Sequence, residues 1–196
     1  SKDQGLVDAF VQGMDIHTAT AAKVFQVEPE AVDREMRSKA KAVNFGILYG
    51  QGAFGLAQNL SIPRREAKEI IDAYFEQFAA LKAFTAQCVE QVREKGYAET
   101  VLGRRRYLPD IQSNNATVRA FAERNAVNAP IQGSAADIIK VAMVNIDAAL
   151  KSKGLKARMI MQVHDELVFD VPKSEVPELE ALIGPAMTDA VTLDVR

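Results

Sequence analysis

The sequence predicts an α-rich α/β protein, and three observations carry that prediction. Apolar positions recur at helical spacing through most of the first 96 residues. Residues 157–163 and 167–171 are apolar, β-branched-rich runs on either side of His164-Asp165-Glu166, the pattern of two strands joined by a tight turn. Between these regions, Tyr97-Ala98-Glu99-Thr100-Val101-Leu102 also reads as extended. The expected architecture is a helical subdomain followed by an antiparallel β-hairpin packed on helices.

Each element has a local reason. Residues 1–36 read as helices broken by a turn. Asp15 is an N-cap for a helix over 16–24. Pro29 restarts the chain at an early helical position, and residues 31–50 form one long helical pattern that ends at Gly50-Gln51-Gly52. Residues 53–60 read as a short helix. Ser61 is expected to cap the next helix, with Pro63 in its first turn, running to about Phe78. Another spans about 81–95 and stops at Gly96. Gly103 and Arg104-Arg105-Arg106 read as a basic loop, and Leu108-Pro109-Asp110 as a turn. Helix resumes near Asn115 and reaches about Ala126. Pro130 is expected to open a separate helix through Leu150, ended by Gly154. Pro172 ends the second strand, and a last helix covers about 174–190. A domain boundary is expected near residues 111–123.

Composition sets bounds. A hydrophobic content of 48% fills a core, which argues against disorder. No apolar run approaches the roughly 18–20 residues of a membrane span, and no secretory signal is visible. The lone Cys88 has no internal partner and reads as a buried thiol in a helix, consistent with a cytoplasmic location. Two histidines and one cysteine, far apart, exclude a zinc-site reading. A net charge of −2 decides nothing about nucleic acid, so the local clusters carry the weight. The chain starts at Ser1 and stops at Leu193-Asp194-Val195-Arg196, and both ends look cut.

The strongest local signal is Arg37, Lys41, Phe45 and Tyr49, spaced by four. On a helix each step turns about 40° and the set spans roughly 18 Å. Two cations then lead two rings along one stripe, which suits a nucleoside triphosphate: the cations meet phosphates and the rings meet sugar and base. The competing reading makes the cations solvated and the rings core. Gly46 inside this helix costs about 1 kcal/mol against Ala, which suggests that something approaches closely there.

The segment from Arg37 to Gly50 (RSKAKAVNFGILYG) resembles the fingers-helix motif of family A DNA polymerases. The resemblance implies that Arg37 binds the outer phosphates of the incoming dNTP, that Lys41 binds the inner phosphates and protonates the leaving pyrophosphate, that Phe45 packs on the deoxyribose, and that Tyr49 stacks at the nascent pair. His17, in Asp-Ile-His-Thr-Ala, matches a further phosphate contact. Phage-type RNA polymerases resemble this motif but typically carry Met at the position of Phe45, which favours the DNA enzyme.

Two more segments fit the same family. Residues 163–168 (VHDELV) resemble a palm motif, which implies Asp165 as a Mg²⁺ ligand, Glu166 as a weaker supporting one, and His164 as an orienting residue near the primer end. On the residues alone, a carboxylate pair in a turn is also what a solvated tip looks like. Residues 124–140 (RNAVNAPIQGSAADIIK) resemble the palm segment that contacts the minor groove of a primer–template, which implies contacts from Arg124, Asn128 and Gln132. Arg104, Arg105 and Arg106 are open between a phosphate contact and internal anchoring on Glu99 or Asp110.

The resemblance therefore implies that residues 1–14 lead from the palm into the fingers, that 15–115 are fingers, and that 116–196 are the C-terminal part of the palm. It implies nucleotidyl transfer to a primer 3′-hydroxyl with two Mg²⁺ ions, one carboxylate ligand set lying outside this chain. The expected partners are primer–template DNA, dNTP and the remainder of a polymerase chain (thumb and upstream palm), in a monomeric, bacterial, nucleoid-associated enzyme without membrane contact. Because no second metal-binding aspartate segment is found in residues 1–16, the segment alone is expected to be inactive. A dNTP- or primer–template-binding fragment without catalysis is the alternative, as is a degenerate structural homologue.

Overall fold

The computed structural model describes residues 1–193. Its α-rich α/β content is as the sequence predicts: eight helices and two antiparallel two-stranded sheets among the described residues. The chain divides into two compact units, residues 1–131 and the residues from 132 onward.

In the first unit, α1 (Gln4–Val11) and α2 (Ile16–Val24) are each started by an aspartate. Asp3 accepts from the Leu6 backbone N–H and Asp15 from that of His17, satisfying donors that the first helical turn leaves open. A single 3₁₀ turn, Pro29–Ala31, precedes α3 (Arg34–Leu48). The predicted long helix over 31–50 is thus shorter at its start. Asp33, with extended backbone, caps α3 by accepting from Met36 N–H at 2.7 Å. At the other end Gly50 takes φ +69°, and Gly50 and Gln51 donate back to the Ile47 and Gly46 carbonyls. This left-handed closure favours glycine.

Helix α4 (Ala53–Leu60) follows at once, then α5 (Arg64–Gln77) and α6 (Ala79–Lys95). Ser61 does not cap α5 as expected. It closes α4 from the left-handed region at φ 54°, while Pro63 precedes α5 with no side-chain cap. Val43, Ile47, Leu56, Ala67, Tyr74, Phe78 and Leu81 form one core. A second core gathers Val92, Ala98, Leu108 and Ile111 with Ala122, Ala126 and Ala129.

Strands β1 (Tyr97–Glu99) and β2 (Arg105–Tyr107) pair antiparallel, with Glu99 opposite Arg105 and Tyr97 opposite Tyr107. Two of the three arginines read as a loop therefore lie in a strand. Cross-strand pairing (an ion pair at one end and a ring pair at the other) outweighs the poor strand propensity of a charged run. A 3₁₀ segment, Pro109–Gln112, leads into α7 (Ala116–Lys153).

Helix α7 is continuous, with Pro130 inside it, so the expected separation into two helices at Pro130 does not occur. Proline removes one backbone donor, and burial of Ala126, Val127 and Ala129 holds the turn in place. The first turns of α7 belong to the core built on Val92 and Leu108, and the first packing unit runs to residue 131.

In the second unit, Gly154 (φ +66°) ends α7. Strand β3 (Arg158–Val163) pairs antiparallel with β4 (Glu166–Asp170), with a bulge between Met159 and Met161. Helix α8 (Val176–Thr188) covers the pair. Ile146, Leu150, Ala157 and Leu179 form the core, with Met159, Leu167 and Phe169 packed against it. The Glu175 carboxylate accepts from the Lys156 and Ala157 N–H groups, tying the entry of β3 to the start of α8. Positions 194–196, the last of the expected palm segment, lie outside the described residues. Among the described residues no helix is long and apolar enough to cross a membrane.

Two stability measurements follow. Leu56→Ala, at a fully buried site, should cost about 2–5 kcal/mol in denaturant unfolding. Ser61→Gly should stabilise by about 1 kcal/mol, since a left-handed residue with a Cβ carries a strain that glycine lacks; no gain would mean that the Ser61 conformation is not strained.

Candidate functional site

Helix α3 has two faces. Ala40, Val43, Asn44 and Ile47 fall at i, i+3, i+4 and i+7 and are buried. The adjoining exposed stripe carries Arg37, Lys41, Phe45 and Tyr49. Phe45 and Tyr49 remain 42% and 40% exposed and stack with ring centroids 6.0 Å apart and planes 15° off parallel. The rings share the cations' exposed stripe and are not core.

Helix α2 packs along α3 and adds two side chains to that stripe. Asp15 accepts from Arg37 Nε at 2.5 Å while still capping α2. His17 lies with its ring centroid 5.8 Å from that of Phe45, and its Nδ1 is 3.0 Å from Asn44 Nδ2. Asn44 Oδ1 in turn accepts from the Thr20 hydroxyl at 3.1 Å. His17, Arg37, Phe45 and Tyr49 are therefore brought together. Lys41 lies on the same stripe with no ion-pair partner among the described residues.

The Arg37 guanidinium, through its hydrogen bond, holds the Asp15 carboxyl down to about 2. His17 is pushed below its ordinary value, first by burial and then by the charges of Arg37 and Lys41, against the opposing pull of Asp15. This favours the neutral ring. The arrangement is a partly neutralised arginine, a bare lysine and a neutral imidazole beside two exposed rings, which suits a polyanion attached to a flat apolar group.

Beyond Tyr49 the stripe opens into a groove of about 620 Å³ lined by Phe45, Tyr49, Gly50, Gln51, Phe54 and Arg124. A Cβ on Gly50 would lie 2.8 Å from Arg124 Cγ, so the glycine lets Arg124 reach the end of α3. The close approach expected at Gly46 is made from within the chain. Gln51 folds back so that its carboxamide sits where a Cβ on Gly46 or Gly55 would stand.

Arg124 also lies over the Phe121 ring at 5.7 Å. One turn on, Asn128 Oδ1 is buried with no hydrogen-bond partner among the described residues. Gln132 is exposed on α7 in the second unit. Arg105 is an internal anchor, paired with Glu99 at 3.3 Å and seated over Tyr97 at 4.5 Å.

In the second unit, His164 and Asp165 form the turn between β3 and β4, and Glu166 begins β4. His164 has φ 53°, unusual for a residue with a side chain. Gln162 Nε2 donates to the His164 carbonyl at 2.6 Å and holds the turn. Asp165 and Glu166 are both exposed at the tip. Hard carboxylate oxygens fit Mg²⁺, which is commonly held by one or two carboxylates together with substrate phosphates and water. Among the described residues no group of three or more His, Cys, Asp or Glu could hold a metal ion, so the tip fits as a partial ligand set.

Sequence reasoning read Asp15 only as a cap and missed Thr20, Asn44, Gln51 and Gln162. Asn44 had a visible signal: a polar residue on the buried stripe of α3, a position that requires a partner.

The family described as DNA polymerase family A matches the chain over residues 1–196. DNA polymerase I of Bacillus subtilis is 53% identical over 195 residues, covering 100% of this chain and 22% of the relative. DNA polymerase I of Streptococcus pneumoniae is 52% identical over 196 residues, with the same coverage. The POL domain of Pol1 from M. smegmatis, solved in complex with DNA primer-template and dNTP, matches with a TM-score of 0.94 at 49% identity, over 99% of this chain and 34% of that one. The chain thus spans 22% of the length of these curated relatives.

The site generates two predictions. Asp15 titrates in the folded chain below the roughly 3.9 of an unfolded aspartate. Its pairing with Arg37 is therefore fully present above about pH 4 and is lost as pH falls toward 2. With side chains 39% and 47% exposed, the pair contributes at most about 1 kcal/mol, and Asp15→Asn should remove that slice of acid dependence in pH-dependent unfolding. Gly46→Ala should stabilise by about 1 kcal/mol in a Gln51→Ala background and by less in the wild type. Equal effects in a double-mutant cycle would show that Gln51 does not occupy that space.

Proposed function

Because the chain belongs to DNA polymerase family A, we propose that it carries the dNTP-gripping fingers and part of the palm of a template-directed DNA polymerase. Residues 15–115 act as the fingers, residues 1–14 lead into them, and residues 116–196 belong to the palm. The observation that carries this reading is the exposed stripe of α3, where Arg37 and Lys41 lead Phe45 and Tyr49, with the His17 ring beside it. The POL domain that resembles this chain was solved with primer–template and dNTP, which supports the same substrates here.

The reaction is nucleotidyl transfer. The primer 3′-hydroxyl gives up its proton to water, its oxygen bonds to the α-phosphorus of a dNTP, the bond to the bridging oxygen breaks, and pyrophosphate leaves. Arg37 meets the outer phosphates through its terminal nitrogens, because Asp15 occupies Nε. Lys41 meets the inner phosphates and gives a proton to the leaving pyrophosphate. His17 adds a neutral donor to the phosphates. Phe45 packs on the deoxyribose and Tyr49 on the nascent pair. Arg124, Asn128 and Gln132 offer donors to minor-groove acceptors that all base pairs share, which checks pair shape without reading sequence. His164 orients the primer end. Asp165, supported by Glu166, would hold a divalent cation, which when bound supplies charge neutralisation at the reacting phosphate. The same reading carries a bacterial cytoplasmic, nucleoid-associated location and a monomeric enzyme.

Mg²⁺-dependent incorporation on a primer–template, measured with the full-length polymerase that carries this segment, tests the reading. Asp165→Ala should lower incorporation by more than about 10²-fold while primer–template binding persists. Full activity in Asp165→Ala would overturn the metal assignment. Salt-sensitive DNA binding with no incorporation by the unmodified enzyme would leave binding alone as the function.

A further inference from the structure

The contact between α2 and α3 contains two buried polar residues that the proposed chemistry does not use. Thr20 is 0% exposed and Asn44 is 5% exposed. A fully buried hydroxyl has no water to donate to. Among the described residues the one acceptor for the Thr20 hydroxyl is Asn44 Oδ1, at 3.1 Å. That bond fixes which way the Asn44 amide points. With Oδ1 committed to Thr20, the Nδ2 donor is the atom that faces His17, 3.0 Å from Nδ1. A donor facing Nδ1 requires a lone pair there. The ring proton then sits on Nε2, at the opposite edge, which has no partner among the described residues.

We propose that Thr20 and Asn44 form a buried relay that holds His17 in its neutral, Nε2-protonated tautomer, so that the imidazole presents a directed hydrogen-bond donor to the triphosphate. Asn44 and Thr20 are positioning residues, acting on the nucleotide only through His17. The inference rests on the reading of this face as a dNTP site.

The charges around the ring fit this role. Asp15, Arg37 and Lys41 are the charged groups that bear on His17. Asp15 favours an imidazolium, but it is occupied by Arg37 and by the α2 cap. Burial and the two cations oppose protonation. An imidazolium would also turn an N–H toward the Asn44 amide N–H, donor against donor. A neutral ring aimed by a buried amide gives a donor of fixed direction next to two cations, and adds specificity of placement where Arg37 and Lys41 supply charge.

The test uses ¹⁵N-histidine-labelled full-length polymerase, with His17→Gln identifying the resonance. Two-bond ¹H–¹⁵N correlation on the unliganded enzyme should show His17 with an unprotonated Nδ1. Asn44→Asp keeps the shape and the Thr20 bond but offers an acceptor. It should move the ring proton to Nδ1 and leave Nε2 an acceptor. Thr20→Val, which leaves the amide free to turn, should give a mixture of tautomers and keeps the test open if Asn44→Asp folds poorly. In steady-state kinetics Asn44→Asp should raise the dNTP KM by about tenfold. In the His17→Gln background the same substitution should add nothing, which a merely structural residue would not show. A proton on Nδ1 in the wild type overturns the relay whatever the kinetics and leaves the dNTP reading standing. An Nε2-protonated ring whose replacement leaves the dNTP KM unmoved sinks the dNTP role of His17, and with it the relay's purpose.

Discussion

The candidate site depends on the close packing of α2 against α3. Ala21 falls on the same face of α2 as His17 and Thr20, Ala40 on the same face of α3 as Asn44, and both are fully buried. Small residues let helix backbones approach, so short polar side chains can meet across the seam. Thr20 meets Asn44, Asn44 meets His17, and Asp15 meets Arg37. The exposed stripe of α3 is aimed by what lies buried behind it.

The seam also shapes the electrostatics. Asp15 neutralises part of Arg37, while Lys41 has no counterion among the described residues. The two cations are thus different in kind. One is a planar fork held by a carboxylate, with its terminal nitrogens left to bind; the other is a mobile point charge. The neutral His17 ring, held below its ordinary titration range by burial first, adds direction without adding charge. On the second unit, the hairpin tip concentrates two carboxylates on an exposed turn held by Gln162, which is the opposite charge logic and suits a hard cation.

Several local features answer to neighbours rather than to their own sequence. Ser61 does not cap α5 because it closes α4, and it accepts a left-handed conformation to do so. Arg105 enters a strand because Glu99 and Tyr97 wait across the hairpin. Gly46 makes room for Gln51 rather than for a ligand, although the need for space there was readable. Asn128 keeps a buried acceptor with no partner among the described residues.

The sequence by itself determined most helices, the hairpin around His164-Asp165-Glu166 and the four-residue stripe of Arg37, Lys41, Phe45 and Tyr49. These are set by short-range periodicity and by turn chemistry, which act within a few residues. It also carried the motifs by which the family was recognised. Only the tertiary structure decided that Pro130 stays inside one helix, that Asp15 holds Arg37, that Thr20 and Asn44 stand behind His17, and that Gly50 admits Arg124. Each of those depends on two segments distant in the chain meeting in space: Asp15 and Arg37 are 22 residues apart, and His17 and Asn44 are 27. Local pattern marks a polar residue on a buried face, but the partner that satisfies it is chosen by packing.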